Sequence, residues 1–194
     1  TTTLFDLASL TKVIATTSAL MLLYQDGLIK LEETAAAYID DFGGGGKGNI
    51  TLLQLLTHTA GFPPDPSPDY WDPAFGCAGA PVPPDSPSPL AAATSCTERA
   101  FASLCAQKLA SAPGEKYVYS DLSFISLMYI VGAIAASGVG RARDTTSCSS
   151  AGGRATFYQC LYEDFVRTRV FEKLGMAETL FNPSTSMRRR CAPT

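Results

Sequence analysis

Leu7-Ala8-Ser9-Leu10-Thr11-Lys12, running without a Gly or Pro into Val13-Ile14-Ala15-Thr16-Thr17-Ser18-Ala19-Leu20-Met21-Leu22-Leu23-Tyr24-Gln25, is the stretch that decides the fold. Its Ala, Leu and Met content favours one helix from Ser9 to Gln25, stopped at Asp26-Gly27, where Gly27 suits a left-handed cap. Ser9 and Lys12 are three residues apart, so a hydroxyl and an amine fall on one helical face near the first turn. Serine attacks poorly until a base takes its proton, and a lysine can do so if burial and nearby cations lower its pKa. The helix N-terminus adds free N–H groups and a positive dipole end for a developing oxyanion. Alone the pattern is weak, because ordinary Ser and Lys frequencies give roughly one chance S-x-x-K per chain of this length.

Outward from that helix, Leu28 to Leu31 has the alternation of a short extended piece, and Thr51-Leu52-Leu53-Gln54 has the spacing of a capping box opening a helix toward His58, with Gly61 as its stop. Residues 63–89 hold ten of the 13 prolines and read as a surface insertion. Ser95 and Glu98 form another capping-box spacing before a helix carrying Phe101, Leu104, Cys105 and Leu109 on one face, broken at Pro113-Gly114. Leu122 to Ala136 is expected as a core helix closed by Ser137-Gly138, and Thr156 to Leu174 as a further helix, with a Gly/Ser/Arg-rich loop over about 140–154 between them. The coarse reading is a helical lobe, one domain over 1–194 with two loop insertions and few strands.

The 194 residues, 46% hydrophobic and 17% charged, fit a folded domain, and a net charge of -3 provides no broad basic field for nucleic acid. Lys12 and the apolar run Val13–Tyr24 have the charged and hydrophobic regions of a secretion signal, but Gln25-Asp26-Gly27 gives no small-residue cleavage site, and Leu122–Ala136 falls short of the roughly 18 to 20 apolar residues needed to span a bilayer. Six cysteines at wide spacings and a single histidine, His58, give little support to a closed zinc site, so the cysteines read as structural thiols, free or disulfide-bonded. Gly43-Gly44-Gly45-Gly46-Lys47-Gly48 departs from a phosphate-binding loop at its leading position and at Gly48, and reads as a flexible turn. Chemistry concentrates in a second element, Pro113-Gly114-Glu115-Lys116-Tyr117-Val118-Tyr119-Ser120-Asp121. It brings a phenol and a carboxylate on a loop leading into the apolar helix.

Taken in order, Leu7-Ala8-Ser9-Leu10-Thr11-Lys12, Leu55-Leu56-Thr57-His58-Thr59-Ala60-Gly61, and Pro113-Gly114 before Tyr119-Ser120-Asp121 resemble the landmarks of the β-lactamase-related serine hydrolases, closest to the class C, esterase and D-alanyl carboxypeptidase branch. Lys173-Leu174-Gly175-Met176-Ala177-Glu178-Thr179 resembles that family's turn after a helix. The resemblance implies an α/β fold of the β-lactamase/transpeptidase type, of which this chain is mostly the α-helical lobe. It implies Ser9 as nucleophile, Lys12 as its base partner, Tyr119 as proton relay, no cofactor, and a small-molecule or peptide-like acyl substrate. His58 falls in a structural turn with no base role. Asp121 stands where the family commonly has Asn, which adds charge and removes a donor. The family's third motif, Lys or His before x-Gly on a central strand, has no match after Tyr119. The chain, beginning at Thr1, therefore reads as a piece of a longer protein that lacks a complete site and exposes apolar surface. A noncatalytic binding relative is the competing reading.

Overall fold

The computed structural model describes residues 3–69, 96–138, 148 and 152–192. The Pro-rich stretch beyond Asp69, Ser95, and most of 140–154 lie outside them. Six α-helices make up the described architecture: α1 (Ser18–Gln25), α2 (Leu52–Leu56), α3 (Cys96–Ala106), α4 (Asp121–Ala136), α5 (Arg154–Val166) and α6 (Thr185–Arg188). Among the described residues the β-structure is limited to two isolated bridges, Leu4 with Cys191 and Thr34 with Thr51.

The opening helix forms as its composition requires, with one departure. A π-helical segment, Lys12–Thr17, precedes α1, and the Thr17 and Ser18 hydroxyls donate to the carbonyls five residues earlier, at Lys12 and Val13. Its buried face carries Ala15, Ala19, Leu20 and Leu23, and Gly27 ends it at φ 71°, with the Leu28 N–H donating to the Leu23 carbonyl. Leu28–Leu31 is not a strand. It is irregular chain whose Leu31 carbonyl is taken by the Leu53 N–H at the start of α2.

Helix α2 shows how a five-residue helix is kept. Its first three N–H groups have no partners within the helix. Leu52 N–H donates to Glu33 O, Leu53 N–H to Leu31 O, and Gln54 N–H to Thr51 Oγ1, while Gln54 Oε1 accepts from Thr51 N–H. The capping box expected from the sequence is thus formed in both directions. Replacing Thr51 by alanine is expected to cost about 1 kcal/mol. A urea titration in which T51A keeps the wild-type midpoint would contradict that assignment.

Helix α4 is buried nearly all round, as a run of apolar residues without an amphipathic period should be. Its Ser126 hydroxyl, fully buried, donates to the Leu122 carbonyl in the same helix. The closest helix pairing is α4 with α5, and it depends on Gly132, where an added Cβ would stand 2.1 Å from the Tyr158 carbonyl oxygen. Helix α5 starts two residues earlier than expected, passes into a π-helical turn (Arg167–Phe171) and ends before Gly175. Ser95, the capping-box partner expected for Glu98, lies outside the described residues, and Glu98 reaches α5. Its carboxylate accepts from the Thr156 N–H (2.7 Å) and hydroxyl (2.9 Å), capping the first turn of α5 from α3. The Cys148–Cys160 disulfide ties α5 to the segment before it, and Cys105 and Cys191 are free thiols.

The Gly-rich turn aims Lys47 inward. Its side chain is 1% exposed and its ammonium donates to the Gln107 carbonyl at 2.9 Å, with burial drawing its pKa down. A lysine so placed does not face a phosphate. Outside, Phe5, Leu10, Val13 and Met21 leave an apolar stripe exposed along the N-terminal segment and the first helix. No helix among the described residues is long and apolar enough to cross a membrane.

Candidate active site

The turn that carries Ser9 is set by three successive short-range hydrogen bonds: Leu10 N–H to Leu7 O, Thr11 N–H to Ala8 O, and Lys12 N–H to Ser9 O. Bonds of this i to i+3 type eclipse side chains three apart, so Lys12 lies over Ser9 and its Nζ stands 3.0 Å from Ser9 Oγ. Ala8, at φ 43°, is turned into the left-handed region just before Ser9, with its N–H donating to Asp6 Oδ1 at 2.8 Å. A non-glycine residue held there stores strain, a recurrent feature of sites whose geometry is fixed by their surroundings.

Opposite this turn stands the 113–121 loop, which is laced to residues 58–64. Gly114 N–H donates to Thr59 O, Val118 N–H to His58 O, and Asp121 N–H to Pro64 O. The Ser120 hydroxyl donates to Pro63 O at 2.6 Å. So held, Tyr119 and Asp121 reach Lys12 from the far side. Asp121 is the first residue of α4 rather than a loop residue, and its carboxylate pairs with Lys12 Nζ at 2.7 Å. The Lys12 ammonium lies 5.0 Å from the centre of the Tyr119 ring. All four expected site residues, Ser9, Lys12, Tyr119 and Asp121, therefore meet in one cluster.

Electrostatics sorts them. Burial acts to lower the pKa of Lys12, but the hydrogen bonds and negative charge of Asp121 and Tyr119 outweigh it, and the net shift is upward. The amine is held as an ammonium, the reverse of what a lysine base needs. Tyr119 moves the other way: its hydrogen bonds from Lys12 and then Ser9 draw the phenol below its ordinary value. The Tyr119 side chain remains 44% exposed, within reach of solvent and of a bound molecule.

His58 belongs to this cluster, although its position in the sequence suggested only a turn. Its ring centre lies 4.5 Å from that of Tyr119 and 5.1 Å from that of Phe124, and its Nδ1 accepts from the Ser120 N–H at 3.1 Å. Being the chain's single histidine, within the ordered motif Leu55–Gly61, was the one signal that could have marked it. No group of His, Cys, Asp and Glu suited to a metal ion occurs among the described residues.

The Beta-lactamase family model matches residues 1–194, and the chain belongs to that family. Among its relatives are proteins described as "Putative D-alanyl-D-alanine carboxypeptidase" from Salmonella agona (strain SL483) and Salmonella typhimurium (strain LT2), each 29% identical over 189 residues, or 94% of this chain. The chain spans 35% of the length of those relatives.

Proposed function

We propose that the chain carries the nucleophile half of a serine hydrolase that works through an acyl-enzyme on an ester, amide or β-lactam bond. The observation that carries this reading is Lys12 Nζ standing 3.0 Å from Ser9 Oγ and 5.0 Å from the centre of the Tyr119 ring, with the pKa of the amine pushed up and that of the phenol drawn down. Two titratable groups whose environments push them apart divide the acid and base roles.

In this reading Tyr119, as phenolate, accepts the Ser9 proton while Ser9 Oγ bonds to the carbonyl carbon. Lys12 stays an ammonium throughout and holds both oxygens. The bond to the leaving group breaks as Tyr119 returns the proton to the departing oxygen or nitrogen, leaving a Ser9 ester. Water then attacks that ester, and Tyr119 accepts the proton of the water in its turn. The positive end of the helix that starts beside Ser9 favours the negative carbonyl oxygen formed in each step. The described relatives point to peptide-like acyl donors as the substrate class.

The test is covalent capture. Incubation with a β-lactam or an aryl phosphonate is expected to add one probe per chain, and peptide mapping is expected to place it on Ser9. A folded chain that takes up neither probe, or takes it up elsewhere, overturns the reading and leaves a noncatalytic relative.

A further inference from the structure

Three contacts made by one residue bear on Tyr119. The carbonyl of His58 accepts from the N–H of Val118, which precedes Tyr119, and its Nδ1 accepts from the N–H of Ser120, which follows it. Between those two grips the imidazole lies against the phenol ring, 4.5 Å centre to centre at 37°. On the other side of the imidazole's surroundings stand Phe124, at a ring distance of 5.1 Å, and Tyr117, edge-on at 6.1 Å. His58 itself sits at φ 57°, a left-handed conformation that few bulky residues adopt, and is 9% exposed. A strained backbone at a buried residue persists only where its surroundings over-determine it.

We propose that His58 is a positioning residue for Tyr119: by gripping the backbone on both sides and backing the ring, it holds the phenol oxygen against Lys12 and Ser9. This rests on the reading of Tyr119 as the proton acceptor. The alternative partners for the Tyr119 hydroxyl are solvent molecules, since the side chain is 44% exposed, and a phenol that turned toward them would lose the ammonium that draws its pKa down. The hydrogen bond also sets the tautomer. With Nδ1 accepting from Ser120, the proton of the neutral ring is on Nε2. Burial, and then the Lys12 charge, hold the ring neutral, with Asp121 pulling weakly the other way.

Two substitutions separate the contacts. His58→Asn suits the left-handed backbone and offers a side-chain oxygen to Ser120 N–H, but it has no ring. His58→Phe keeps the ring and loses the acceptor. The readout is the ultraviolet titration of Tyr119 as tyrosinate, taken as the difference between each protein and its Tyr119→Phe counterpart. The midpoint is expected to rise by about one pH unit in His58→Phe, as loss of a charge-assisted hydrogen bond would raise it, and by less in His58→Asn. Nitrogen NMR of the single histidine is expected to show Nδ1 unprotonated at neutral pH.

A folded His58→Phe with an unmoved Tyr119 midpoint overturns the proposal. Should that variant not fold, an unmoved midpoint in His58→Asn does the same, as does a proton found on Nδ1 in the wild type. A shifted midpoint in a chain that no acylating probe labels at Ser9 supports the positioning role and sinks the hydrolase reading instead.

Discussion

Ser9→Ala is expected to abolish acyl transfer, and the double variant Ser9→Ala/Tyr119→Phe is expected to be no worse. Groups that act as a unit lose their effect together, and removal of a serine nucleophile has the scale of about 10⁶ in turnover. In the proposed reading Ser9, Lys12 and Tyr119 are such a unit, since Lys12 Nζ donates to Ser9 Oγ and lies 5.0 Å from the centre of the Tyr119 ring. Tyr119→Phe alone is expected to slow acylation by about 10² to 10⁴, the usual worth of a positioned proton acceptor. It should also change the pH profile. A base works when deprotonated, so the acylation rate should rise with pH through the Tyr119 midpoint, which lies below that of an ordinary phenol, and fall as the medium becomes more acid. The phenylalanine variant should lack that limb. Lys12, its pKa raised, should remain an ammonium across the same range, so a limb that survives Tyr119→Phe and disappears in Lys12→Ala would show that the amine is the base after all. Stopped-flow acylation with an aryl ester over a range of pH gives both results.

What the sequence made legible was local. Gly27 had to end the first helix, Thr51 and Gln54 had to cap the second, and the apolar run Leu122–Ala136 had to be central, because each depends on neighbours within a few positions. The four candidate site residues were proposed for a different reason: their types and order form a motif, whose parts the fold brings together across about 110 residues. What stayed hidden depends on partners far away in the chain. Glu98 had the spacing of a capping box with Ser95, and nothing near it in sequence marks its 2.7 Å contact with the Thr156 N–H at the start of α5. Lys12 was expected to become a base if burial and nearby cations lowered its pKa, and the Asp121 carboxylate at 2.7 Å, with Tyr119, draws that pKa the other way. His58 looked like turn chemistry, and acquires its part only when the 113–121 loop folds over it.

Gly132→Ala is the substitution expected to damage the fold most for its size. In an exposed helix the change would stabilise by up to about 1 kcal/mol, because alanine restricts the unfolded chain and favours the helix. Here that gain meets a backbone carbonyl. The new Cβ would stand 2.1 Å from Tyr158 O and 2.6 Å from its carbonyl carbon, where ordinary contact needs well over 3 Å, and neither atom can swing aside like the end of a side chain. Helices α4 and α5 would have to part by about 1 Å, giving up close packing along their shared face. A net loss of about 2 to 4 kcal/mol is expected, a large share of what a domain of this size has in reserve. The damage should also reach the site. Asp121, at the head of α4, holds Lys12, and Tyr162 of α5 shares a buried hydrogen bond of 2.8 Å with Thr16 in the π-helical segment that follows Ser9. Separating the two helices therefore pulls on Ser9's support from both sides. Urea denaturation and Ser9 labelling on the same preparation decide the matter. A G132A chain as stable as the wild type would mean that α4 and α5 are not in the close contact described, whereas reduced stability with unchanged labelling would confine the effect to the core.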